Sequence, residues 1–435
     1  MATNLSGSIL IIGNGFDLAH GLPTRYTDFL EFAGRVMHIY TYADKPDVEF
    51  EYNNTWIVPW SEEKPDDEAR KFLAQKLKAL FQSRKARYIQ SVKDSACQTL
   101  VINVNDRLDL FNGYLKDNIW FHYITNLYNH RKTCGENWID FEKEISLIVA
   151  TFDNAHESLS QFLYDLDKKH LDAADLLPAV SEKISVFRKA CAIGFNDSIY
   201  NVFSKFTVRD LRSKLYEDLE NLILAFEIYL TDFVEEMHVT KTLTAIERIE
   251  PRYVMSFNYT KTYEKRYKRA GDSVQVCYVH GTCDKTRDPG NNNMVLGVDE
   301  YLPGDLQSEH TDFCIFKKFV QRIRKQNDVA YASWAAQFEN DEPVIHESDY
   351  YKELIKRILN NTVTDVFICG HSLDVTDKDI LRRFLISPST WIHIFARDKV
   401  SEGELIANLI RITDEETVIK KSTINPPMIE FLKLE

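Results

Sequence analysis

The pattern of apolar and polar positions begins with a short apolar run, Ile9 to Ile12, which ends at the turn Gly13-Asn14-Gly15. Four apolar residues before a glycine are too few for a helix, so the run predicts a buried strand. A strand that leads into a Gly-x-Gly turn is typical of the loop in which an open α/β sheet holds a nucleotide, because glycine lets the backbone approach a phosphate closely. Two glycines also fit an ordinary left-handed turn, and both interpretations stay open at this point.

Apolar residues then recur at helical spacing over most of the first half of the chain. Between residues 60 and 245 glycine and proline are sparse, and no strand pattern is convincing. The spacing predicts helices over residues 26–40, 66–90, 108–129, from Asn137 onward, and over 159–170, 179–189 and 208–237. The sequence therefore predicts a helical domain over residues 46–245, inserted after the first β-α unit.

Strand patterns return after residue 250. The predicted strands cover residues 253–257, 274–279, 294–297, 365–370 and, as the last one, 391–396, and helical patterns cover residues 350–359, 376–385 and 402–412. Strands that alternate with helices predict a mostly parallel sheet with helices on both faces. The predicted fold class is α/β, with a Rossmann-like mostly parallel sheet formed by residues 1–45 and 246–435 and a large all-helical insertion.

Charge and composition narrow the classes of protein. The 435 residues include 53 Lys and Arg against 66 Asp and Glu, so the net charge of −13 argues against a general nucleic-acid binder. No apolar run approaches the roughly 20 residues needed to span a bilayer, and no signal peptide is recognisable, so we expect a cytoplasmic protein without a membrane partner. The seven cysteines form no C-x-x-C pair, which predicts reduced thiols and no structural zinc site.

Four of the predicted strands end in polar clusters. These clusters are Gly13-Asn14-Gly15-Phe16-Asp17, Asn258-Tyr259-Thr260, His280-Gly281 and Gly370-His371-Ser372-Leu373-Asp374. Ligands of open parallel sheets lie at the carboxyl ends of the strands, so we predict that the clusters converge on one crevice. Each cluster also has a structural explanation, since Asn258 fits a helix cap, His280-Gly281 a turn and Gly370 a strand terminator.

A separate acidic pair, Asp140 and Glu144, lies four residues apart and so shares one face of the helix predicted from Asn137. Asn137 is the predicted cap of that helix. The spacing fits a catalytic or metal-binding pair, but such charges more often form a solvated helix face, which is the favoured interpretation.

The stretch from Gly13 to Pro23 is similar to the signature of the AbiH family of bacterial abortive-infection proteins, which act in phage defence. Further stretches that fit this family lie at residues 137–142, 256–260, 279–281 and 370–374. The resemblance runs from the first predicted strand to the last, and the long middle is its least specific part. It implies an anti-phage effector that responds to a phage-derived trigger or a defence-system partner and forms a homo-oligomer.

A more distant resemblance is to the sirtuin-like superfamily, whose glycine loop has the spacing kept here by Gly13, Gly15 and Gly21. Asn258 stands at the position of the superfamily's catalytic asparagine, and His280 matches its His-Gly pair. The resemblance therefore implies that Asn258 and His280 are the catalytic residues of a sirtuin-like domain. The nucleotide-binding residues that it implies are Gly13, Asn14, Gly15, Phe16, Asp17, Gly21, Gly281, Gly370, His371, Ser372, Leu373 and Asp374.

The reaction implied by this resemblance is hydrolysis of the nicotinamide–ribose bond of NAD, which is the substrate, and no metal is expected. Asn258 would place the attacking water, because an amide both donates and accepts, and His280 would accept a proton. Backbone N–H groups of the glycine turn after the first strand would meet the pyrophosphate. The ring of Phe16 or Tyr26 would screen the ribose face.

Two departures from the superfamily leave alternatives open. The chain lacks the cysteine pairs that bind zinc in sirtuin deacylases, which favours hydrolysis or binding over deacylation. Thr260 replaces an aspartate that helps to hold nicotinamide, so the ligand is NAD or a related nucleotide such as an ADP-ribose derivative. The alternative functions are a non-catalytic nucleotide-binding switch in a defence system and, from Asp374, Asp377 and Asp379, a nuclease-like toxin.

Overall fold

The computed structural model describes residues 8–42, 67–94, 107–135, 138–154, 208–239, 241–298, 311–339 and 363–434. The chain divides into two compact units. We call the first the sheet unit, which comprises Met1–Leu22, Val239–Cys283 and Arg322–Glu435, and the second the helical unit, which comprises Pro23–His238 and Asp284–Gln321. Within the described ranges, no helix combines the length and the apolar character that crossing a membrane requires.

The sheet unit is built on six parallel strands. Their bounds are β1 Ser8–Ile12, β2 Pro251–Ser256, β3 Gln275–Tyr278, β4 Thr364–Cys369, β5 Thr390–Ala396 and β6 Ile429–Lys433. The strand order is β3-β2-β1-β4-β5-β6, so the order along the chain reverses between β1 and β4. Every neighbouring pair in this order is parallel, and the predicted mixed α/β fold around a parallel sheet is confirmed.

Both faces of the central strand β1 are buried, which explains why its sequence is an unbroken apolar run. Ile9 and Ile11 face one side of the sheet and pack in a core that includes Met255, the register partner of Ile11 on β2. Leu10 and Ile12 face the other side and pack in a second core. Because β1 lies in the middle of the sheet, the turn that follows it is flanked by the loops after β2 and β4.

Helices make up most of the remaining regular structure in the described ranges. In chain order they are α1 Asn14–Ala19, α2 Tyr26–Tyr42, α3 Glu68–Asp94, α4 Arg107–Lys116, α5 Ile119–Thr133, α6 Phe141–Asn154, α7 Val208–Tyr229, α8 Thr244–Glu247, α9 Thr262–Arg266, α10 Lys318–Lys325, α11 Ala330–Glu339, α12 Lys378–Leu385, α13 Lys399–Ile412 and α14 Glu415–Thr423. A π-helical turn, Leu230–Val234, extends α7, and short 3₁₀ turns lie at Pro289–Asn291, Cys314–Phe316 and Val375–Asp377. The helices predicted over residues 159–170, 179–189 and 350–359 lie outside the described residues.

α2 belongs to the helical unit, because its buried aromatic side chains pack there. The ring centroid of Phe32 lies 5.2 Å from that of Tyr229 and 4.5 Å from that of Phe233. The division into units therefore differs from the predicted segments 1–45, 46–245 and 246–435. Residues 23–42 and 284–321 belong to the helical unit rather than to the segments that hold the sheet.

The single helix predicted over residues 108–129 is two helices, α4 and α5. The side chain of Asn118 accepts the N–H of Phe121 at 3.0 Å and so caps the start of α5. The amide of Asn118 also donates to the backbone oxygen of Asp218 on α7 at 2.6 Å, which fixes the break in place. Apolar positions continue across the break, so the periodicity alone does not reveal it.

The acidic pair of α6 has two structural roles. Asp140 precedes the helix and caps it by accepting the N–H of Lys143 at 3.0 Å, whereas the predicted cap, Asn137, lies outside the described residues. Glu144 is 1% exposed, and its Oε1 lies 2.6 Å from Nη2 of Arg131. The interpretation as a solvated face is therefore wrong for Glu144, which is buried and forms an ion pair with the partly exposed Arg131.

Two strand predictions differ from the structure. Residues 294–297 form no strand, because the side-chain amide of Gln321 takes the place of a strand neighbour for Leu296. It accepts the N–H of Leu296 at 3.2 Å and donates to its backbone oxygen at 3.0 Å. The sequence pattern also misses the edge strand β6, in which the exposed Glu430 and Lys433 interrupt the apolar run.

Candidate functional site

The turn after β1 packs directly against the turn after β4. The N–H of Gly13 donates to the backbone oxygen of Cys369 at 3.2 Å, and the N–H of Gly15 donates to that of Gly370 at 2.8 Å. A Cβ at Gly15 would lie 2.7 Å from Cα of Gly370, so the approach requires glycine. This differs from the predicted role of the turn, because both N–H groups donate to the backbone and are not available to a pyrophosphate.

The predicted ring contacts with a ribose differ from the observed positions of both rings. Phe16 is fully buried in one of the two apolar cores of the sheet, where it packs beside the ring of Tyr267. Its side chain therefore fills the core and does not reach a ligand at the surface. Tyr26 lies in the helical unit, where its ring stacks on that of Phe141 with centroids 4.4 Å apart.

The helix α1 carries a buried carboxylate to the end of β2. Asp17 is 1% exposed, and its Oδ2 accepts the hydroxyl hydrogen of Thr260 at 2.5 Å. Oγ1 of Thr260 also lies 3.0 Å from Oγ1 of Thr262. α1 is followed by Gly21, whose φ of +81° is the left-handed conformation that commonly ends a helix. Asp17 therefore joins the turns after β1 and β2, while Gly21 shapes the end of the helix.

His20, at the end of α1, has a structural role. Its Nδ1 lies 2.7 Å from the backbone oxygen of Phe16, and since a carbonyl only accepts, Nδ1 carries the hydrogen. Nε2 therefore accepts the hydroxyl hydrogen of Tyr267 at 2.7 Å. Burial lowers the pKa of His20, which agrees with this neutral form.

Asn258 presents a buried amide at the end of β2. Its N–H donates to Oγ of Ser256 at 3.2 Å, and the N–H of Phe257 donates to the backbone oxygen of Ile12 at 2.9 Å, which holds the loop against β1. The side chain is 5% exposed, and in the described part of the chain its Nδ2 has no hydrogen-bond partner. Buried donors are nearly always satisfied in folded proteins, so this amide marks a place for a ligand atom or an ordered water.

His280 and His371 lie on either side of one carboxylate. Nε2 of His280 is 3.0 Å from Oδ1 of Asp377, and Nε2 of His371 is 3.5 Å from Oδ2 of the same residue. All three side chains are buried, and the ring of Phe257 stands edge-on against both imidazoles. Among the described residues, no group of three or more His, Cys, Asp or Glu side chains is placed to hold a metal ion. At this site, Nε2 of His280 and Nε2 of His371 both face the carboxylate of Asp377.

The segment after β4 has an unusual backbone. Gly370 and Leu373 adopt φ values of +69° and +55°, and the second is rare for a residue that carries a side chain. Leu373 is fully buried, whereas Ser372 is exposed and its backbone oxygen accepts a hydrogen bond from a side chain of α13. Asp374 caps the following turn. A left-handed conformation at a residue other than glycine, as at Leu373, costs about 1–3 kcal/mol, and such strained residues are concentrated at functional sites.

The four polar clusters meet at the carboxyl edge of the sheet, where the strand order reverses. Close contacts join Gly15 to Gly370, Asp17 to Thr260, and His280 to Asp377. Exposed positions at this edge are Asn14 and Ser372, and Gly281 closes the turn after β3 with a φ of +79°. The structure thus brings both predicted catalytic residues to the same edge as the glycine turns.

Asp377 is the site residue whose position the sequence does not reveal. The sequence shows it only as one of three acidic residues in a run, and the contact with His280 joins positions 97 residues apart. The useful signal in the sequence is that the run directly follows the polar cluster after β4. Asp379, two residues further on, instead pairs with Arg322.

Comparison with known proteins identifies a family. A family model described as bacteriophage abortive infection AbiH matches residues 9–394, a stretch that runs from β1 into β5 and includes all the residues of the site. No curated protein and no solved structure matches the chain.

Proposed function

The chain belongs to the AbiH family of bacteriophage abortive-infection proteins, and from this we propose that its sheet unit is an effector that hydrolyses the nicotinamide–ribose bond of NAD. The strand order β3-β2-β1-β4-β5-β6 supports a Rossmann-like, sirtuin-like domain, because dinucleotide-binding sheets have the same order. In such sheets the ligand lies outside the carboxyl ends of the strands, at the point where the order reverses. The glycine turns, Asn258 and His280 all lie at that point.

The observation that carries the proposal is the buried Nδ2 of Asn258, which has no hydrogen-bond partner among the described residues. Asn258 is 5% exposed, and a buried donor without a partner among the described residues is available to a polar atom that is not part of the protein. An amide holds a water without being consumed, because Oδ1 accepts one of its hydrogens or Nδ2 donates to its oxygen. This is the group that a hydrolase needs to place a water beside a reacting carbon.

The proposed reaction balances without a protein nucleophile. The bond between C1′ of the ribose and the nicotinamide nitrogen breaks, and the nitrogen keeps the electron pair, so that nicotinamide leaves as a neutral molecule. The oxygen of the placed water then bonds to C1′, where an oxocarbenium-like charge has developed. The proton that this water loses passes to His280, which gives ADP-ribose, nicotinamide and one proton as products.

The carboxylate of Asp17 supports recognition of an amide-bearing leaving group. Thr260 stands where the superfamily has an aspartate, but Oδ2 of Asp17 lies 2.5 Å from Oγ1 of Thr260, so a carboxylate is present at this place. A carboxylate accepts from the N–H₂ of a carboxamide. The pyrophosphate is not assigned to the N–H groups of Gly13 and Gly15, since both are used within the protein.

The test is to incubate the purified chain with NAD and to measure nicotinamide and ADP-ribose released in equal amounts. Asn258→Asp keeps the shape of the side chain and removes its donor, and we expect it to slow release about 10²- to 10⁴-fold. Asn291→Ala, at an exposed asparagine of the helical unit, is the matched control and should release nicotinamide at the wild-type rate.

The result also separates the enzyme from the non-catalytic alternative. If the wild type and Asn258→Asp release nicotinamide equally fast, Asn258 does not place the water. If the wild type binds NAD or ADP-ribose in a calorimetric titration but releases no nicotinamide, also in extracts of infected cells, the chain is a nucleotide-binding switch.

A further inference from the structure

Asp377 has the geometry of a residue that orients two histidines. It ends the 3₁₀ turn Val375–Asp377 and immediately precedes α12, a place where an aspartate usually caps the helix with its side chain. Its carboxylate makes no such capping hydrogen bond. The side chain is instead buried, at 8% exposed, and places one oxygen against His280 and the other against His371.

The backbone fixes the tautomer of His371 without the help of Asp377. The N–H of Leu373 donates to Nδ1 of His371 at 2.9 Å, so Nδ1 holds a lone pair and the neutral ring carries its hydrogen on Nε2. That Nε2–H faces Oδ2 of Asp377. The donor of this hydrogen bond belongs to the residue that adopts the left-handed conformation, so the bond lies within the unusual backbone segment after β4.

The tautomer of His280 depends on Asp377. A carboxylate only accepts, so the 3.0 Å contact with Oδ1 puts the hydrogen of the neutral ring on Nε2 and leaves the lone pair on Nδ1. The negative carboxylate also stabilises the imidazolium that forms when the ring takes up a proton. The ring of Phe257, packed against both imidazoles, holds them in this arrangement.

We propose that Asp377 is the positioning residue that holds His280 in the Nε2–H tautomer, so that Nδ1 of His280 receives the proton from the attacking water. This proposal rests on the proposed NAD hydrolysis for its last step, but its statement about the tautomer does not. His371 acts on the carboxylate, because its Nε2–H engages the second oxygen and restrains rotation of Asp377.

The variant Asp377→Asn gives the proposal a distinctive outcome. An asparagine offers one acceptor and one donor, and the Nε2–H of His371 requires the acceptor, since Leu373 still occupies Nδ1. The donor then faces Nε2 of His280 and forces that ring into the Nδ1–H tautomer. We therefore expect one histidine to change its tautomer and the other to keep it, which a general loss of structure does not produce.

The experiment uses the whole chain labelled with ¹⁵N-histidine, with the tautomers assigned from long-range ¹H–¹⁵N spectra. The wild type should show Nε2–H at both positions, and Asp377→Asn should show Nδ1–H at His280 alone. Nicotinamide release should fall about 10²- to 10⁴-fold in kcat with KM little changed. Asp379→Asn, whose carboxylate pairs with Arg322, is the matched control and should leave both tautomers unchanged.

Asp377→Glu is the second variant, because it retains a carboxylate and should retain the Nε2–H tautomer of His280 and part of the rate. It also keeps the test decisive if Asp377→Asn does not fold. Nδ1–H at His280 in the wild type, or an unchanged His280 in Asp377→Asn, would overturn the proposal. A wild type that releases no nicotinamide would overturn the proposed function alone, and the spectra would still decide whether Asp377 sets the tautomer.

Discussion

Gly370 and Gly21 both adopt a left-handed backbone, but only Gly21 has room for a side chain. A Cβ at Gly370 would overlap the N of Phe16 and lie 2.8 Å from Cα of Gly15, whereas nothing lies within 4 Å of a Cβ at Gly21. Gly370 therefore meets two requirements, conformation and close approach, and Gly21 meets one. A sequence does not reveal whether a glycine is needed for a left-handed conformation, for close approach of another segment, or for both, whereas the structure distinguishes these requirements at Gly370 and Gly21.

We expect Gly370→Ala to lower the free energy of unfolding by about 2–4 kcal/mol, because the strained conformation and the overlap with the turn after β1 add together. Gly21→Ala should cost only about 1 kcal/mol, the price of the conformation. The measurement is the unfolding midpoint of both variants under one set of conditions. Equal losses would show that the two turns separate easily.

Three neighbouring strands carry a line of charged side chains on one face of the sheet. His393 on β5 lies between Asp365 on β4 and Glu430 on β6, with Nε2 2.8 Å from Oδ1 of Asp365 and Nδ1 2.5 Å from Oε1 of Glu430. Burial lowers the pKa of His393, but the hydrogen bonds to the two carboxylates outweigh burial, and the pKa is raised overall. The protonated histidine therefore helps to hold the edge strand β6 on the sheet.

The ion pairs of His393 with Asp365 and Glu430 predict that the free energy of unfolding depends on pH, with a definite sign. Because the pKa of His393 is higher in the folded state, its contribution is complete below about pH 6.5 and disappears as the pH rises through the raised folded value. We expect His393→Gln to lower the free energy of unfolding by about 1–2 kcal/mol at pH 6 and by less at pH 8.5.

Denaturant unfolding at the two pH values measures this difference. His130→Gln, at an exposed histidine of α5, is the matched control and should be neutral at both. A larger effect of His393→Gln at pH 8.5 than at pH 6 would contradict the proposed charge state.

For the molecule as a whole, all the candidate site residues belong to the sheet unit, and the helical unit has a separate aromatic core around Phe32 and Tyr229. The net charge of −13 agrees with a small-molecule substrate better than with nucleic acid. The proposed reaction would affect a whole cell, because NAD is consumed and not returned. Such an activity is tested best in infected cells.

In bacteria that carry the wild-type chain, we expect the NAD content per cell to fall at least tenfold after infection by a susceptible phage. In bacteria that carry Asn258→Asp, we expect the NAD content to be maintained. The measurement is NAD per cell before and after infection with a panel of phages, with Asn291→Ala as the matched control. Equal NAD loss with Asn258→Asp would contradict the catalytic role of Asn258. Protection without NAD loss would favour the nucleotide-binding switch.

The central strands were predictable because burial on both faces leaves an unbroken apolar run, as in Ile9–Ile12. The edge strand β6 was not, since two of its five residues are exposed and only one is fully buried. The stretch Met294–Gly297 was wrongly predicted as a strand because its residues are mostly buried, as in a strand. Its backbone hydrogen bonds at Leu296 are made instead with the side chain of Gln321. An apolar pattern indicates that a segment is buried, but it does not indicate which groups form hydrogen bonds with the backbone of that segment.

The sequence predicted which strand ends contribute residues to the candidate site, but it did not predict which of those residues contact one another. Asn258 and His280 directly follow strands, so the topology of a parallel sheet brings them to one edge. The partner of His280 is 97 residues away, and its identity depends on how α12 lies against the sheet. The use of the N–H groups of Gly13 and Gly15 was equally hidden, because it depends on how closely the turn after β4 approaches.

The central position of β1 has a consequence during synthesis on the ribosome. Its two neighbours, β2 and β4, begin at Pro251 and Thr364, so the first strand waits for more than two hundred residues before it can pair. At about 5–20 residues per second, translation reaches β2 about 12–50 s after β1 and reaches Asp377 later still. A nascent chain that has not reached Asp377 thus lacks the partner of His280, and the proposed site is complete only once β4 and the segment that follows it have been made.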